Sequence, residues 1–284
     1  MQNEDFTIRP SGGGVGAFVD NIDLALGMTD AARDRLRETL GEYGVLFFRD
    51  QTRTPDQHIT LAERFGTINV NRFFGAVESH PMIAEVRKEP DQQANIGGGW
   101  HTDHSYDEEP AMGSILLARE TPPTGGDTLF ANMYKAYESL SDGLKQTLDG
   151  LKAVHSSRHV FGANSRYKQE GADLNDRFGN EAAATQDSVH PVVISHPISG
   201  RKALYVNPGF TLRLDGWTDA ESAPLLQMLY AHAARPEHTY RFQWAPGSIA
   251  FWDNRATWHY ALNDYHGSRR LMHRITVEGG KLAA

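Results

Sequence analysis

Cysteine is absent from this sequence of 284 residues. Its absence excludes disulfide frameworks, zinc sites built on thiolates, iron–sulfur clusters and cysteine nucleophiles. A chain without cysteine also fits a reducing compartment. The opening MQNEDFTIRP has neither the basic segment nor the apolar segment of a secretory signal. We therefore expect a cytoplasmic protein.

Long apolar runs and an excess of positive charge are missing as well. No stretch approaches the roughly 20 apolar residues that span a bilayer, so we expect no membrane segment. The formal net charge is −8 and the lysines and arginines are scattered, which argues against nucleic acid as a partner. A small anionic ligand stays compatible with this charge, because one or two arginines can capture it locally.

Turn-forming residues occur throughout the chain, and no long linker divides it. Glycine and proline are spread along it without an internal repeat or a low-complexity tract, so we predict one domain over residues 1–284. Capping residues and apolar residues at helical spacing predict helices at 29–42, from Thr54-Pro55 onward, at 133–150 and at 219–234.

Strands dominate the remainder of the sequence. Alternating or short apolar runs predict them near 45–50, 83–87, 113–119, 127–131, 191–195, 202–206, 238–243, 248–252 and 269–277. Many short strands with a few helices indicate a mostly β fold of the α+β class. We predict a jelly-roll or related double sheet with helical decoration, although these patterns leave other α+β layouts open.

Three residues in two separate segments form a candidate metal site. His101 and Asp103 are two apart, and on a strand such residues point to one face. His259 is the candidate third ligand. Two histidines and one carboxylate are the facial triad that leaves positions open on iron(II). Alone, a His-x-Asp pair means little in a chain with 13 histidines.

The predicted strand 269–276 carries two cations on one face. Arg270, Met272 and Arg274 share that face, because side chains alternate along a strand. If the face looks into the barrel, both arginines are costly to bury unless they meet anions. The alternative from this pattern is an edge strand with both arginines in solvent.

These segments together resemble the taurine dioxygenase and aryloxyalkanoate dioxygenase family of iron(II)/2-oxoglutarate enzymes. The resemblance covers nearly the whole chain and rests on FRDQ (48–51), LAERFG (61–66), WHTD (100–103), TGGDTLF (124–130), LYVNPGF (204–210) and the block from WDNR to RR-x-MHR (252–274). It implies a double-stranded β-helix that uses Fe(II), O2 and 2-oxoglutarate. The implied reaction hydroxylates a small organic anion next to a heteroatom and releases succinate and CO2.

The resemblance also implies roles for individual residues. His101, Asp103 and His259 match the iron ligands, which form the catalytic centre. Thr128 matches the threonine that hydrogen-bonds the distal carboxylate of 2-oxoglutarate, and Arg270 matches the arginine that pairs with the same group.

The same comparison places further residues around the substrate. Arg274 matches an arginine that holds the substrate anion, and the backbone around His104 corresponds to a further contact for that anion. Phe161 and Phe210 match aromatic walls of the substrate pocket.

Three positions depart from the enzymes that use taurine. A histidine, a tyrosine and an asparagine surround the taurine amine there, whereas this chain has Asn71, Phe74 and Gly97. An ammonium group would lose its partners in such a pocket. The segments 155–162 and 217–233 look closer to the aryloxyalkanoate branch. We therefore favour an aryloxyalkanoate-like substrate over taurine, with a sulfonate or an alkyl sulfate as the alternative.

Two other classes of protein remain as alternatives. The segment HTDH (101–104) ends in Asp-His, as do some metal-binding motifs of binuclear zinc hydrolases. Those motifs also need a histidine two positions before the first histidine, and this chain has Gly99 there. A non-catalytic module that binds metal and 2-oxoglutarate is the other alternative. The family resemblance further implies a homo-oligomer, either a dimer or a tetramer. Residues 163–190 are polar and charged, which predicts a mobile lid.

Overall fold

The fold is that of a computed structural model, which describes residues 5–163, 165 and 177–284. Its helices are α1 Asp30–Tyr43, α2 Pro55–Glu63, α3 Met133–Glu138, α4 Asp142–Leu148, α5 Arg158–Phe161 and α6 Asp219–Ala233. Short 3₁₀ turns cover Glu181–Ala183 and Pro236–His238. No helix in these described ranges is long and apolar enough to cross a membrane.

Helix boundaries follow the capping residues of the sequence. The Thr29 side chain accepts a hydrogen bond from the Ala32 amide at the start of α1, and Gly44 ends that helix at φ 76°. Thr54 and Gln57 form a reciprocal capping box at α2. These contacts confirm the first two predicted helices.

The single helix predicted over 133–150 is wrong. The structure has two helices there, because Ser139 closes α3 and the side chain of Ser141 caps the start of α4. A serine that caps a new helix competes with continuation of the old one. Apolar residues keep their helical spacing on both sides of these serines, so the spacing alone does not reveal the break between the two helices.

Seventeen strands appear among the described residues. They are β1 Thr7–Pro10, β2 Ala17–Asp20, β3 Val45–Phe48, β4 Ile68–Asn69, β5 Ala76–Val77, β6 His80–Lys88, β7 Gly113–Glu120, β8 Thr128–Asn132, β9 Lys152–Ser156, β10 Asp187–Pro191, β11 Val193–Ser195, β12 Lys202–Leu204, β13 Thr211–Leu214, β14 Thr239–Phe242, β15 Ile249–Asp253, β16 Thr257–Ala261 and β17 Arg270–Val277. Residues 196–201 connect β11 to β12 in an antiparallel hairpin.

Two sheets enclose the space where the candidate residues lie. The larger sheet has nine strands in the order β1-β2-β3-β15-β7-β17-β6-β5, with β4 paired to β17. The second has the order β14-β8-β16, and two smaller sheets are β10-β9-β13 and β11-β12. A sheet-rich α+β structure is thus confirmed, while the double-stranded β-helix stays a prediction.

Alternation along the strands of the large sheet separates two apolar layers. Leu46, Ile115, Phe251 and Ile275 pack toward α1 and α2. The intervening residues, which include Phe47 and Met272, pack against the second sheet. There the rings of Phe47 and Phe242 stack with centroids 4.3 Å apart. Odd and even positions of β17 consequently face different environments, and the even ones face the space between the sheets.

Candidate active site

The two histidines of the predicted triad are joined through their backbones. His259 lies on β16, and its amide and carbonyl exchange hydrogen bonds with those of His101 at 2.8 and 3.1 Å. The expectation that His101 and Asp103 share a strand is wrong. His101 makes only this isolated bridge, and the chain then turns over 103–106, with His104 at φ 59°.

The turn nevertheless brings the Asp103 carboxylate to both imidazoles. Its oxygens lie 3.8 Å from Nε2 of His101 and 3.8 Å from Nε2 of His259. One ligand atom from each residue lies within 4.8 Å of the others. Nδ1 of His101 donates to the Gly99 carbonyl at 2.8 Å, which leaves the Nε2 lone pair free for a cation.

The charge states of the three groups also suit a divalent cation. Burial lowers the pKa of His101 and lowers that of His259 further, so both rings are neutral ligands at pH 7. Burial acts to raise the pKa of Asp103, but the positive charge of Arg274 beside it holds that pKa well below its ordinary value. An ionised carboxylate beside two neutral imidazoles is the donor set of an iron(II) facial triad.

The two arginines of β17 point into the same space and are buried. Arg270 and Arg274 are 4 and 5% exposed, and β17 lies between β7 and β6 rather than at an edge. The solvated edge strand is therefore excluded. Nη1 of Arg274 donates to Asp103 at 3.3 Å. Nη2 of Arg270 is buried without a hydrogen-bond partner among the described residues, as is Nε of Arg274.

Thr128 lies beside Arg270 at the start of β8. Gly126, two residues earlier, adopts φ 70°, and a Cβ there would lie 2.9 Å from Cγ of Pro122 and 3.3 Å from Cδ of Arg270. The Gly126 carbonyl accepts from Nε of Arg270 at 3.1 Å, which fixes the guanidinium against the turn. Glycine therefore suits this position twice, for the left-handed backbone and for the close approach of Pro122 and Arg270.

All predicted site residues line one cavity of about 420 Å³. Thr128 and Arg270 line it where β8 and β17 begin, and Arg274 lines it four residues further along β17, beside Asp103 of the candidate ligands. The remainder of the cavity, where Phe74 lies against Arg274, is lined by the predicted substrate-pocket residues Asn71, Phe74, Gly97, His104, Phe161 and Phe210. The residues predicted from the sequence therefore belong to one connected site.

Aromatic rings form the wall of the cavity beside Arg274. The guanidinium of Arg274 lies 4.4 Å above the Phe74 ring. Phe161 stacks on Phe73 with centroids 4.2 Å apart, and Phe210 meets Tyr106 edge to face at 4.8 Å. Such packing holds rings in fixed positions, so the wall is both apolar and preorganised.

Two polar residues of the wall are already engaged with the protein. The side-chain oxygen of Asn71 accepts from the amides of Phe73 and Phe74 at 2.9 and 3.0 Å. Nδ1 of His104 lies 2.9 Å from Asp107, whose other oxygen accepts from Arg72 at 2.5 Å. Both contacts fix loop geometry, which sequence reasoning did not anticipate.

Other residues of the cavity were missed by sequence reasoning. Leu116 and Val86 pair with Arg274 and Met272 in the large sheet, so their alternation carried a usable signal. Phe178 gave no such signal, because it follows a polar segment without periodicity. Residues 164 and 166–176 of the predicted lid lie outside the described residues, and the lid stays a prediction.

The fold and this site define a 2-oxoglutarate-dependent non-haem iron dioxygenase. A sequence model of the family described as "Taurine catabolism dioxygenase TauD, TfdA family" matches residues 7–276. The chain belongs to this family. Its members depend on Fe(II), 2-oxoglutarate and O2, and the His101, Asp103 and His259 cluster fits the metal.

Relatives of the chain carry names of different substrates. It is 35% identical over 278 residues to an alkylsulfatase of Acinetobacter baylyi, covering 97% of this chain and 86% of the relative. It is 32% identical to an (S)-phenoxypropionate/alpha-ketoglutarate-dioxygenase of Sphingobium herbicidovorans, covering 96 and 95%. A crystal structure of a taurine dioxygenase from Burkholderia xenovorans superposes with a TM-score of 0.82 at 33% identity, covering 98 and 93%.

Proposed function

We propose that this dioxygenase hydroxylates a small organic anion with an apolar body, at a C–H bond next to a heteroatom. The observation that carries the proposal is the single cavity in which the metal triad, two buried arginines and a phenylalanine wall meet. The wall suits an apolar body, and each arginine suits one anion. One arginine serves the co-substrate, and the other serves the substrate.

In this proposal His101, Asp103 and His259 hold Fe(II). Bound iron and 2-oxoglutarate supply the oxidising power, with succinate and CO2 as by-products. Nη2 of Arg270 donates to the distal carboxylate of 2-oxoglutarate together with the hydroxyl of Thr128. Both groups lie at the end of the cavity where β8 and β17 begin.

Arg274 holds the substrate anion in this arrangement. Its guanidinium is fixed between the Asp103 carboxylate and the Phe74 ring, which places a positive charge beside the metal triad. Phe161 and Phe210 exclude water and orient the apolar body, so that one C–H bond faces the metal. Protein acid–base groups are not required, and none is assigned.

The polar groups of the wall argue against an ammonium substrate. The side-chain oxygen of Asn71 already accepts hydrogen bonds from two backbone amides. Phe74 and Gly97 have no side chain that could accept a hydrogen bond from an ammonium group. An aryloxyalkanoate therefore fits better than taurine. A sulfate ester or sulfonate is the second candidate, because a relative of 35% identity is named an alkylsulfatase.

Succinate release, measured on a matched panel, tests this function. The panel pairs a phenoxypropionate with an alkyl sulfate and an alkanesulfonate, and taurine with propanesulfonate, which has a methyl group in place of the ammonium. We expect the highest kcat/KM with the phenoxypropionate, and propanesulfonate should exceed taurine. Higher values with the alkyl sulfate would favour the second candidate.

Two results would instead support the other classes of protein. Bound 2-oxoglutarate without succinate across the panel would indicate a non-catalytic module. Zinc in the purified protein without oxygen consumption would indicate a hydrolase.

We further propose that residues 1–284 form one domain, that the protein is cytoplasmic, and that it assembles as a dimer or tetramer. Light scattering after gel filtration measures the mass of the assembly against 31.6 kDa for one chain. A measured mass equal to that of one chain at every concentration of a tenfold dilution series would contradict the proposed oligomer.

A further inference from the structure

Trp244 does not line the cavity, but its indole contacts Thr128, which does. Trp244 follows β14, whose last residue Phe242 pairs with Thr128 at the start of β8. Nε1 of Trp244 donates a hydrogen bond to Oγ1 of Thr128 at 3.0 Å. Thr128 is 3% exposed and lines the cavity, so the indole approaches its hydroxyl from the protein side.

This contact restricts what the Thr128 hydroxyl can do. A hydroxyl has one proton and two acceptor lone pairs, and indole N–H is a donor only. Since Trp244 occupies a lone pair of the oxygen, the hydroxyl proton is left to be donated elsewhere. A hydroxyl that accepts from one partner also becomes a better donor to the next. Its proton is thereby available to an anion in the cavity.

The ring of Trp244 also packs near the second group that serves this anion. The guanidinium carbon of Arg270 lies 5.8 Å from the indole centroid, and Phe242 meets the indole edge to face at 4.8 Å. Trp244 is therefore held between the sheet core and the pair formed by Thr128 and Arg270.

We propose that Trp244 is a positioning residue for 2-oxoglutarate, acting through Thr128 on the distal carboxylate. This inference rests on the proposed function, because it takes Thr128 and Arg270 as the binding groups for that carboxylate. It adds that the N–H group of the indole, rather than its bulk alone, sets the affinity for the co-substrate.

Trp244→Phe removes the N–H group and keeps an aromatic ring over Arg270. The direct readout is the dissociation constant of 2-oxoglutarate, measured by anaerobic calorimetry with Mn(II) as the metal. We expect it to rise about three- to tenfold, as for the loss of one hydrogen bond. With Fe(II) and saturating 2-oxoglutarate, kcat should stay within about twofold, because the reacting centre is untouched. Trp217→Phe, at a tryptophan outside the cavity lining, is the matched control.

A second probe separates positioning from a general structural effect. 2-Oxobutyrate retains the metal-chelating 2-oxo acid group but lacks the distal carboxylate. Its affinity should not change in Trp244→Phe. Equal weakening of 2-oxobutyrate and 2-oxoglutarate would overturn the proposal, since the distal carboxylate would then not be involved.

A double-mutant cycle tests whether the effect passes through Thr128. In a Thr128→Val background, Trp244→Phe should have no further effect on 2-oxoglutarate affinity. In a Thr128→Ser background, which keeps the hydroxyl, the full effect should persist. Additive losses with Thr128→Val would overturn the route through the hydroxyl. Failure of wild-type protein to bind 2-oxoglutarate with metal would instead refute the proposed function, which is a different result.

Discussion

The two ends of the cavity are built from different kinds of structure. Among the groups assigned to metal and co-substrate, His259, Thr128 and Arg270 lie on β16, β8 and β17, within hydrogen-bonded sheets, whereas Asp103 lies in a turn. The groups assigned to the apolar body of the substrate, such as Asn71 and Phe161, lie in a loop and in the four-residue helix α5. Sheet positions fix distances, whereas loops tolerate change.

This difference separates the invariant part of the chemistry from its specificity. Iron and 2-oxoglutarate are the same for every substrate, so their ligands gain from rigid strands. We expect that rings of the substrate wall can be exchanged with little effect on these ligands. Relatives of 32 to 35% identity are accordingly named for a phenoxypropionate and for an alkyl sulfate. Substitutions at the two ends should therefore have separable effects.

Removal of a metal ligand should have the largest effect. Asp103→Ala, His101→Ala and His259→Ala are each expected to abolish succinate formation, because a triad with two ligands loses the metal or its geometry. Metal content after dialysis and succinate release are the two measurements, with the exposed Asp215→Ala as control. Undiminished turnover in Asp103→Ala would remove the carboxylate from the triad.

Loss of the co-substrate arginine should come next. Arg270→Ala is expected to raise the 2-oxoglutarate concentration needed for half-maximal rate by about 30-fold or more, because a buried charge pair loses one partner. The organic substrate should show a far smaller change in its own half-saturating concentration. If the half-saturating concentration of the organic substrate rose instead, the roles of Arg270 and Arg274 would be reversed.

Site residues on regular strands were predictable from the sequence, whereas site residues in turns were not. The face shared by Arg270 and Arg274 followed from strand alternation alone, because β17 is eight residues long and regular. The position of Asp103 did not follow, since it depends on a turn in which His104 takes a left-handed backbone conformation. Family motifs, rather than periodicity, brought that aspartate into the site.

Two of the strands that were missed share a physical cause. β9 and β16, with sequences KAVHS and TWHYA, are short and interrupt their apolar residues with histidine or serine. They form because partners distant in sequence supply the hydrogen bonds, as β8 does for β16. Such tertiary pairing overrides local propensity and carries no local signal.

A change in the aromatic wall should alter specificity and leave the co-substrate alone. Phe161→Ala removes the ring that stacks on Phe73 and opens space for a larger body. The ratio of kcat/KM for a naphthyloxy over a phenoxy acid should rise about tenfold. The half-saturating concentration for the co-substrate should stay within about twofold, because the sites are separate. If the half-saturating concentration of the co-substrate changed as much as the specificity ratio, the separation of the two ends would be contradicted.

The smallest effect is expected where the two ends meet, at Gly97. Its φ is 79°, and a Cβ would lie 3.3 Å from Cε1 of His101. Gly97→Ala should therefore strain the backbone and also press on a metal ligand. Gly216 has the same φ of 79° with nothing within 4 Å of an added Cβ, so Gly216→Ala isolates the backbone strain.

Both alanine variants should lose a similar amount of stability, about 1 kcal/mol, because alanine is strained at this φ. Thermal unfolding measures this shared loss. Only Gly97→Ala should also weaken Mn(II) binding, by about fivefold if the contact costs a further 1 kcal/mol. Equal Mn(II) affinity in the two variants would mean that His101 moves aside freely. The ligand end of the cavity would then be less rigid than its place between the sheets implies.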